Sequence, residues 1–155
     1  MNLSPHFDIS EFVSPRDPAK PSQSVVDNLR RLCLKVLEPL RKKKDGPIHI
    51  TSGWRSTLYN LRVGGAVNGQ HPRGTAADVE AVTLEEQLQA IAYASTLPDV
   101  GGLGFYPGRG FYHVDIRPRK QGFITTWMQD RRKKYVALPP HIRQMLTDRG
   151  AVNLL

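Results

Sequence analysis

The sequence predicts an α+β domain in which a small, mainly antiparallel sheet is flanked by helices. Residues 25–40 repeat apolar side chains every three or four positions, which is typical of one face of a helix. Short runs rich in β-formers occur at 48–51, 75–82, 100–106 and 111–116. The turn sequence PGRG joins the last two runs, so they are expected to form a hairpin. Adjacent strands of this kind favour α+β over a doubly wound fold.

The composition fits one domain. The chain has 155 residues, of which 39% are hydrophobic and 23% are charged, enough for one compact core. Cys33 is the only cysteine, so the sequence excludes an internal disulfide and a multi-cysteine zinc site. Any metal site must therefore use His, Asp or Glu side chains.

The charge balance favours an anionic partner. Lysine and arginine number 22 and acidic residues 14, which gives a net charge of +8. Nucleic acid and the acidic polymer of a bacterial wall both fit this charge. The basic runs at 41–44 and 131–134 are also explained as solvated helix ends or loops. They include no clear aromatic or groove-reading element, so nucleic acid is not expected.

The first part of the chain reads as an arm followed by a helix. Residues 1–21 contain four prolines and are predicted to form an extended N-terminal arm. Ser22 or Ser24 can cap the helix, Pro39 should kink its last turn, and Asp45-Gly46-Pro47 should end it. Four apolar residues can pin the arm to the body: Phe7, Ile9, Phe12 and Val13.

The middle of the chain alternates short elements with a long loop. Ser56 can cap a helix over about 57–63. Residues 64–74, GGAVNGQHPRG, contain four glycines and a proline and are predicted to be a loop. A third helix is expected from Leu84 and should end before Pro98.

The C-terminal part carries a weaker signal. Trp127 is expected to close the core, and residues 140–149 are expected to form a terminal helix. The predicted organisation is therefore the arm at 1–21, a core at 22–117, and a C-terminal extension at 118–155 that packs on the core.

No targeting or membrane segment is predicted. No apolar run approaches the roughly 20 residues that cross a bilayer. The start, MNLSPHFDISEF, has neither a basic end nor an apolar stretch, so no signal peptide is expected. We expect a protein that is cytoplasmic when synthesised.

Two histidines and an aspartate form a candidate metal site. His71 lies in the glycine-rich loop, Asp78 on the next strand, and His113 on the predicted hairpin. Zinc in hydrolases usually has three protein ligands and one open position, and imidazole and carboxylate are suitable donors. Taken singly, each residue also fits an ordinary role, as a loop histidine, a strand-edge carboxylate or a core histidine. Asp115 projects from the same strand face as His113.

Three motifs in order resemble a known family. The segments SGWRSTLYNLRVGG, NGQHPRGTAADV and GFYHVD resemble the zinc D-alanyl-D-alanine carboxypeptidases and L-alanyl-D-glutamate peptidases. They look closest to the bacteriophage and prophage branch, which typically reads Ser-Gly-Tyr-Arg-Ser, Ser-x-His-x-x-Gly-x-Ala-x-Asp and His-x-Asp. The resemblance covers about residues 5 to 117. It implies a single zinc-peptidase domain of hedgehog-like metallopeptidase fold.

The resemblance implies a role for each matching residue. His71, Asp78 and His113 match the ligands of one zinc ion. Arg55 matches an arginine near the substrate, where it would act in catalysis and substrate binding; a surface salt bridge is its alternative role. Two further residues are expected at the substrate, namely Ser52 and Tyr106.

Two departures from the family pattern concern catalysis. Gly69 replaces the usual serine, and Gly110 stands where better-studied members have an acidic general base. Asp115 is the nearest replacement as the catalytic base, but it can equally orient a zinc histidine. Glu80 is a more distant candidate.

The resemblance implies a zinc metallopeptidase that hydrolyses peptidoglycan. Its substrates would be stem peptides, cut as a carboxypeptidase or as an endopeptidase. The protein would be phage or prophage encoded, like an endolysin, and would act on the cell wall after release or as part of a virion. The alternative is a virion or tail protein that keeps the fold, and perhaps zinc, without turnover, and contacts phage structural proteins.

Overall fold

Six strands form one mixed sheet in the computed structural model, which describes residues 1–155. The strands of this sheet are β3 Ile50–Ser52, β4 Ala76–Glu80, β5 Gly102–Tyr106, β6 Phe111–Asp115, β7 Thr125–Gln129 and β8 Tyr135–Val136. Their order across the sheet is β3-β4-β6-β5-β7-β8, and all neighbouring pairs are antiparallel except β5 and β7. Together with the helices, this sheet confirms the predicted α+β class.

A π-helical turn interrupts the first helix. It runs through α1 Gln23–Leu32, a π-helical turn at Cys33–Leu37, and α2 Glu38–Lys44. Ser22 caps it by accepting a hydrogen bond from the amide of Val25. Pro39 follows the π-helical turn and has no N–H for the ladder, so the predicted distortion lies one turn earlier than expected. The helix ends at Asp45, in the left-handed conformation.

Three shorter helices complete the layer. They are α3 Thr57–Arg62, α4 Leu84–Ser95 and α5 Pro140–Asp148. Ser56 caps α3 by accepting from the amide of Tyr59, as predicted. Thr83 and Glu86 form a capping box at the start of α4. Side chains of the first helix, α4, α5 and the sheet share one hydrophobic core, to which α3 contributes none.

The N-terminal residues lie on this core. A small separate sheet pairs β1 Asn2–Ser4 with β2 Phe7–Asp8. Phe7 and Phe12 are fully buried, and Ile9 and Val13 pack against the core. The arm is thereby fixed beside the strands that carry the candidate site.

The last 38 residues contribute strands that the sequence did not predict. β7 extends the sheet by pairing in parallel with β5, and Ile124 before it is fully buried. α5 packs on α4 through Ile142 and Leu146. In addition, none of the helices has the length and apolar character that a bilayer span requires.

Candidate metal centre

His71, Asp78 and His113 converge on one point at the edge of the sheet. Their ligand atoms all lie within 4.8 Å of one another. Oδ1 of Asp78 is 3.4 Å from Nε2 of His71 and 3.1 Å from Nδ1 of His113. All three residues are buried. Residues 42 positions apart in the chain thus form one compact group.

The sheet register brings Asp78 and His113 together. Strands β4 and β6 pair so that Asp78 lies directly opposite His113. Side chains at directly opposed positions project from the same face of a sheet. His71 approaches from a 3-10 turn, His71–Arg73, that precedes β4 and ends at Gly74 with φ +73°.

Each histidine has one ring nitrogen fixed by an acceptor. Nδ1 of His71 lies 2.6 Å from the carbonyl oxygen of Gly53, so Nδ1 donates and Nε2 is left as an acceptor. Nε2 of His113 lies 2.7 Å from Oδ2 of Asp115, so Nδ1 is the nitrogen that this ring turns toward Asp78. Partners of this kind set the tautomer of metal-binding histidines. The other nitrogen of each ring faces Asp78.

Asp115 lies behind His113, away from the cavity. Its side chain is 0% exposed, and Arg117 holds it through Nε, 2.9 Å from Oδ1, and Nη2, 2.6 Å from Oδ2. A Cβ at Gly102 would collide with this carboxylate, so glycine makes room for it. These contacts fit the orienting role better than the base role.

Electrostatics keep both aspartates ionised. Burial by itself would raise the pKa of Asp78, but the neighbouring charges and hydrogen bonds of His71 and His113 outweigh it and lower the pKa. Burial would likewise raise the pKa of Asp115, but His113 and Arg117 lower it. A general base works best with a pKa near the working pH. The low pKa of Asp115 therefore also disfavours the base role.

The donor set fits a zinc ion. Zinc bound tetrahedrally at about 2.0–2.1 Å holds its ligands roughly 3.3 Å apart, close to the separations of Asp78 from both histidines. Two imidazoles, one carboxylate and an accessible cavity match a catalytic site with an open position. Hydrogen bonds to Asp115 and Asp78 outweigh burial and raise the pKa of His113 to about 9. A metal ion must therefore displace a proton from His113 at neutral pH.

Arg55 is held at the edge of this group. Its Nη2 is 3.6 Å from Oδ2 of Asp78. Oγ of Ser52 accepts from Nε and Nη2 of Arg55, and Oδ1 of Asn60 accepts from Nη1. Asn60 also donates to the carbonyl of Ala66 in the glycine-rich loop. Ser52 thus contacts Arg55, which gives it a positioning role beside the expected substrate contact.

A cavity of about 1020 Å³ opens over His71, Asp78 and His113. Tyr106 lies in its wall, and Nε1 of Trp127 donates to the Tyr106 hydroxyl at 3.0 Å. The ring of Trp127 also packs 5.0 Å from that of His113, centroid to centroid. Phe12 from the N-terminal segment and Tyr135 from the C-terminal segment also line the cavity. The C-terminal segment therefore takes part in the site.

The cavity contains few acidic groups. Besides Asp78, only Glu11 lines it, and Glu11 accepts from the amide of Asp8 in a capping box. Gly110 has φ +70° in the hairpin turn, a left-handed conformation that glycine adopts readily.

Sequence reasoning missed Arg117 and the contacts of Trp127. Arg117 follows Asp115 by two positions, as Asp115 follows His113. The alternation of side chains along β6 therefore already indicated that all three lie on the same face. The contacts of Trp127 depend on β7, whose strand signal was weak.

Comparisons with known proteins agree with this geometry. The sequence profile described as Peptidase M15 matches residues 5–115. That range includes the three candidate ligands as well as Arg55 and Asp115. A comparison with curated proteins gave no match.

Proposed function

The chain belongs to the Peptidase M15 family, and from this premise we propose that it is a zinc-dependent hydrolase of peptide bonds in bacterial peptidoglycan. The observation that carries the proposal is the convergence of His71, Asp78 and His113 under an accessible cavity. Each histidine turns one ring nitrogen toward the common point. This arrangement is what a one-metal peptidase requires.

His71, Asp78 and His113 would hold the ion. When bound, zinc supplies Lewis acidity that activates water and polarises the scissile carbonyl. Arg55 carries a fixed positive charge beside the ligands, which suits a carbonyl oxygen as negative charge develops there, or a substrate carboxylate. Arg55 keeps its orientation because Ser52 and Asn60 accept its hydrogen bonds.

Asp115 acts through His113. It fixes the Nε2–H of the ring and so directs Nδ1 toward the ion. Arg117 fixes Asp115 in turn. Of the two roles expected for Asp115, we therefore propose that of a positioning residue and not that of the catalytic base.

The substrate is proposed to be a stem peptide, cut either at a terminal D-alanine or internally after L-alanine. The cavity volume of about 1020 Å³ lies at the upper end of the roughly 300–1,000 Å³ of small-molecule sites. A cavity of this size suits a peptide of several residues. A phage or prophage origin, with action on the wall after release or from a virion, is part of the same proposal.

Metal analysis combined with muropeptide digestion tests the proposal. The purified protein should contain or bind one zinc ion, and mass spectrometry of the digest should identify the cleaved bond. His113→Ala should lose both properties, while His141→Ala, an exposed histidine on α5, should keep them. A protein that binds no zinc would end the proposal.

A binding or assembly protein that retains the fold is the second candidate. The shortage of acids in the cavity favours it, since only Glu11 joins Asp78 there. Zinc binding without cleavage of any muropeptide would support this candidate over the enzyme.

A further inference from the structure

A second cavity, of about 600 Å³, lies beside the metal centre and is strongly basic. Four arginines line it: Arg31, Arg73, Arg117 and Arg119. Asp99 is the only acidic residue in the lining. Arg117 is also paired with Asp115, which lies behind the wall, so four positive and two negative charges leave a surplus of +2. Gln70 and Arg117 line this cavity and the metal cavity alike. The two cavities are therefore neighbours.

The arginines of this cavity are held in different ways. Arg119 donates from Nε to the carbonyl of Val100 and from Nη2 to that of Leu97, which fixes its guanidinium in place. Arg31 pairs with Asp99 at 2.8 Å. Arg73 is exposed, and none of the hydrogen bonds or salt bridges involves its guanidinium.

We propose that this cavity binds phosphate groups of an anionic polymer. Guanidinium groups pair with phosphate through two parallel hydrogen bonds. A single carboxylate would neutralise only one of the two excess positive charges, whereas two successive phosphates would neutralise both. Asn28 and Thr75 add polar groups to the wall, and the volume exceeds what one phosphate ion fills.

The position of the cavity suggests which polymer it serves. Because Gln70 and Arg117 border both cavities, a chain bound here would hold the protein beside its peptide substrate. This step rests on the proposed function and identifies the polymer as a phosphate-bearing component of the bacterial wall. The binding of phosphate itself does not depend on peptidase activity.

Isothermal titration with a linear glycerol-phosphate oligomer tests the inference. The intact protein should bind the oligomer saturably, with an affinity that falls as salt increases. Arg73→Gln should weaken binding about tenfold, as expected for losing a hydrogen bond between charged groups. Asp99→Asn should strengthen binding, since it removes the only acid and frees Arg31.

Two control variants change the net charge equally at other places. Arg132→Gln and Asp45→Asn alter exposed residues outside the cavity and should leave the affinity within about twofold. Equal effects in the controls, or no saturable binding, would overturn the inference. So would inorganic phosphate or a single-stranded oligonucleotide that binds as tightly as the oligomer. If the protein binds the oligomer but cleaves no muropeptide, this inference stands and the proposed peptidase activity is wrong.

Discussion

Nε2 of His113 lies 2.7 Å from Oδ2 of Asp115, which leaves Nδ1 as the nitrogen that the ring presents to Asp78. The carboxylate is fully buried and is held by Arg117. The orientation of the His113 ring is therefore fixed by Asp115 on the same strand and by Arg117, two positions after Asp115. The affinity for a metal ion should depend on this chain of contacts.

Replacing Asp115 should weaken zinc binding. Asp115→Asn keeps the size of the side chain but removes the charge that holds both His113 and Arg117, and loss of such a partner typically costs about 10–100-fold in metal affinity. Competition with a chromophoric chelator measures the affinity, and circular dichroism checks the fold. Asp148→Asn, at an exposed position, is the control. A variant with normal affinity but a large loss of kcat at saturating zinc would show that Asp115 is a base after all.

Arg55 should matter for turnover more than for metal binding. Arg55→Lys keeps the positive charge but loses the fork that engages Ser52 and Asn60. If Arg55 stabilises the oxyanion, kcat/KM should fall by about 100-fold while zinc content stays normal. Arg62→Lys, an exposed position on α3, is the matched control. Near-normal turnover in Arg55→Lys would leave Arg55 with a structural role only.

The Tyr106 hydroxyl should act as a hydrogen-bond donor in the cavity. Burial raises the pKa of Tyr106, so the phenol stays neutral, and Trp127 already donates to its oxygen. Its own proton is thus available to a substrate oxygen. Tyr106→Phe should lower kcat/KM by about tenfold, equivalent to one hydrogen bond of roughly 1.4 kcal/mol. The control is Tyr93→Phe on α4, and equal activities in the two variants would exclude the contact.

Much of the fold and of the candidate site could be predicted from the sequence. The candidate ligands lie in short segments with strong local signals: a glycine-rich loop for His71 and β-forming runs for Asp78 and His113. The register that places Asp78 opposite His113 depends on the whole sheet and could not be read locally. The same holds for β7, because its residues Thr125–Gln129 alternate weakly and pair in parallel with a distant strand.

The role of Asp115 shows a different limit. Its spacing from His113 predicted a shared strand face, but spacing does not tell which ring nitrogen a carboxylate contacts. The structure adds that information because Gly102 leaves space for the carboxylate and Arg117 holds it there. The residue pattern therefore predicted that Asp115 and His113 are neighbours, and the packing determines which ring nitrogen of His113 the carboxylate contacts.

Stability should depend on Asp17 in a way that varies with pH. Its buried carboxylate accepts from the amide and hydroxyl of Ser56 and from the amide of Ala19. Burial would raise the pKa of Asp17, but these hydrogen bonds outweigh it and lower the pKa. A lowered pKa contributes stability that is present above the ordinary aspartate value of about 3.9 and is lost as the pH falls through the folded value.

Asp17→Asn should therefore unfold more easily at neutral pH. The amide would present a donor to the Ser56 amide, and an unsatisfied buried donor costs about 1–3 kcal/mol in the free energy of unfolding. The difference from the unaltered protein should shrink as the pH falls below about 4, because protonation then weakens the same contacts in Asp17 itself. Urea denaturation at pH 7 and at pH 3 measures both values, with Asp148→Asn as the control. A difference that stays constant over this range would mean that Asp17 acts through its shape and not through its charge.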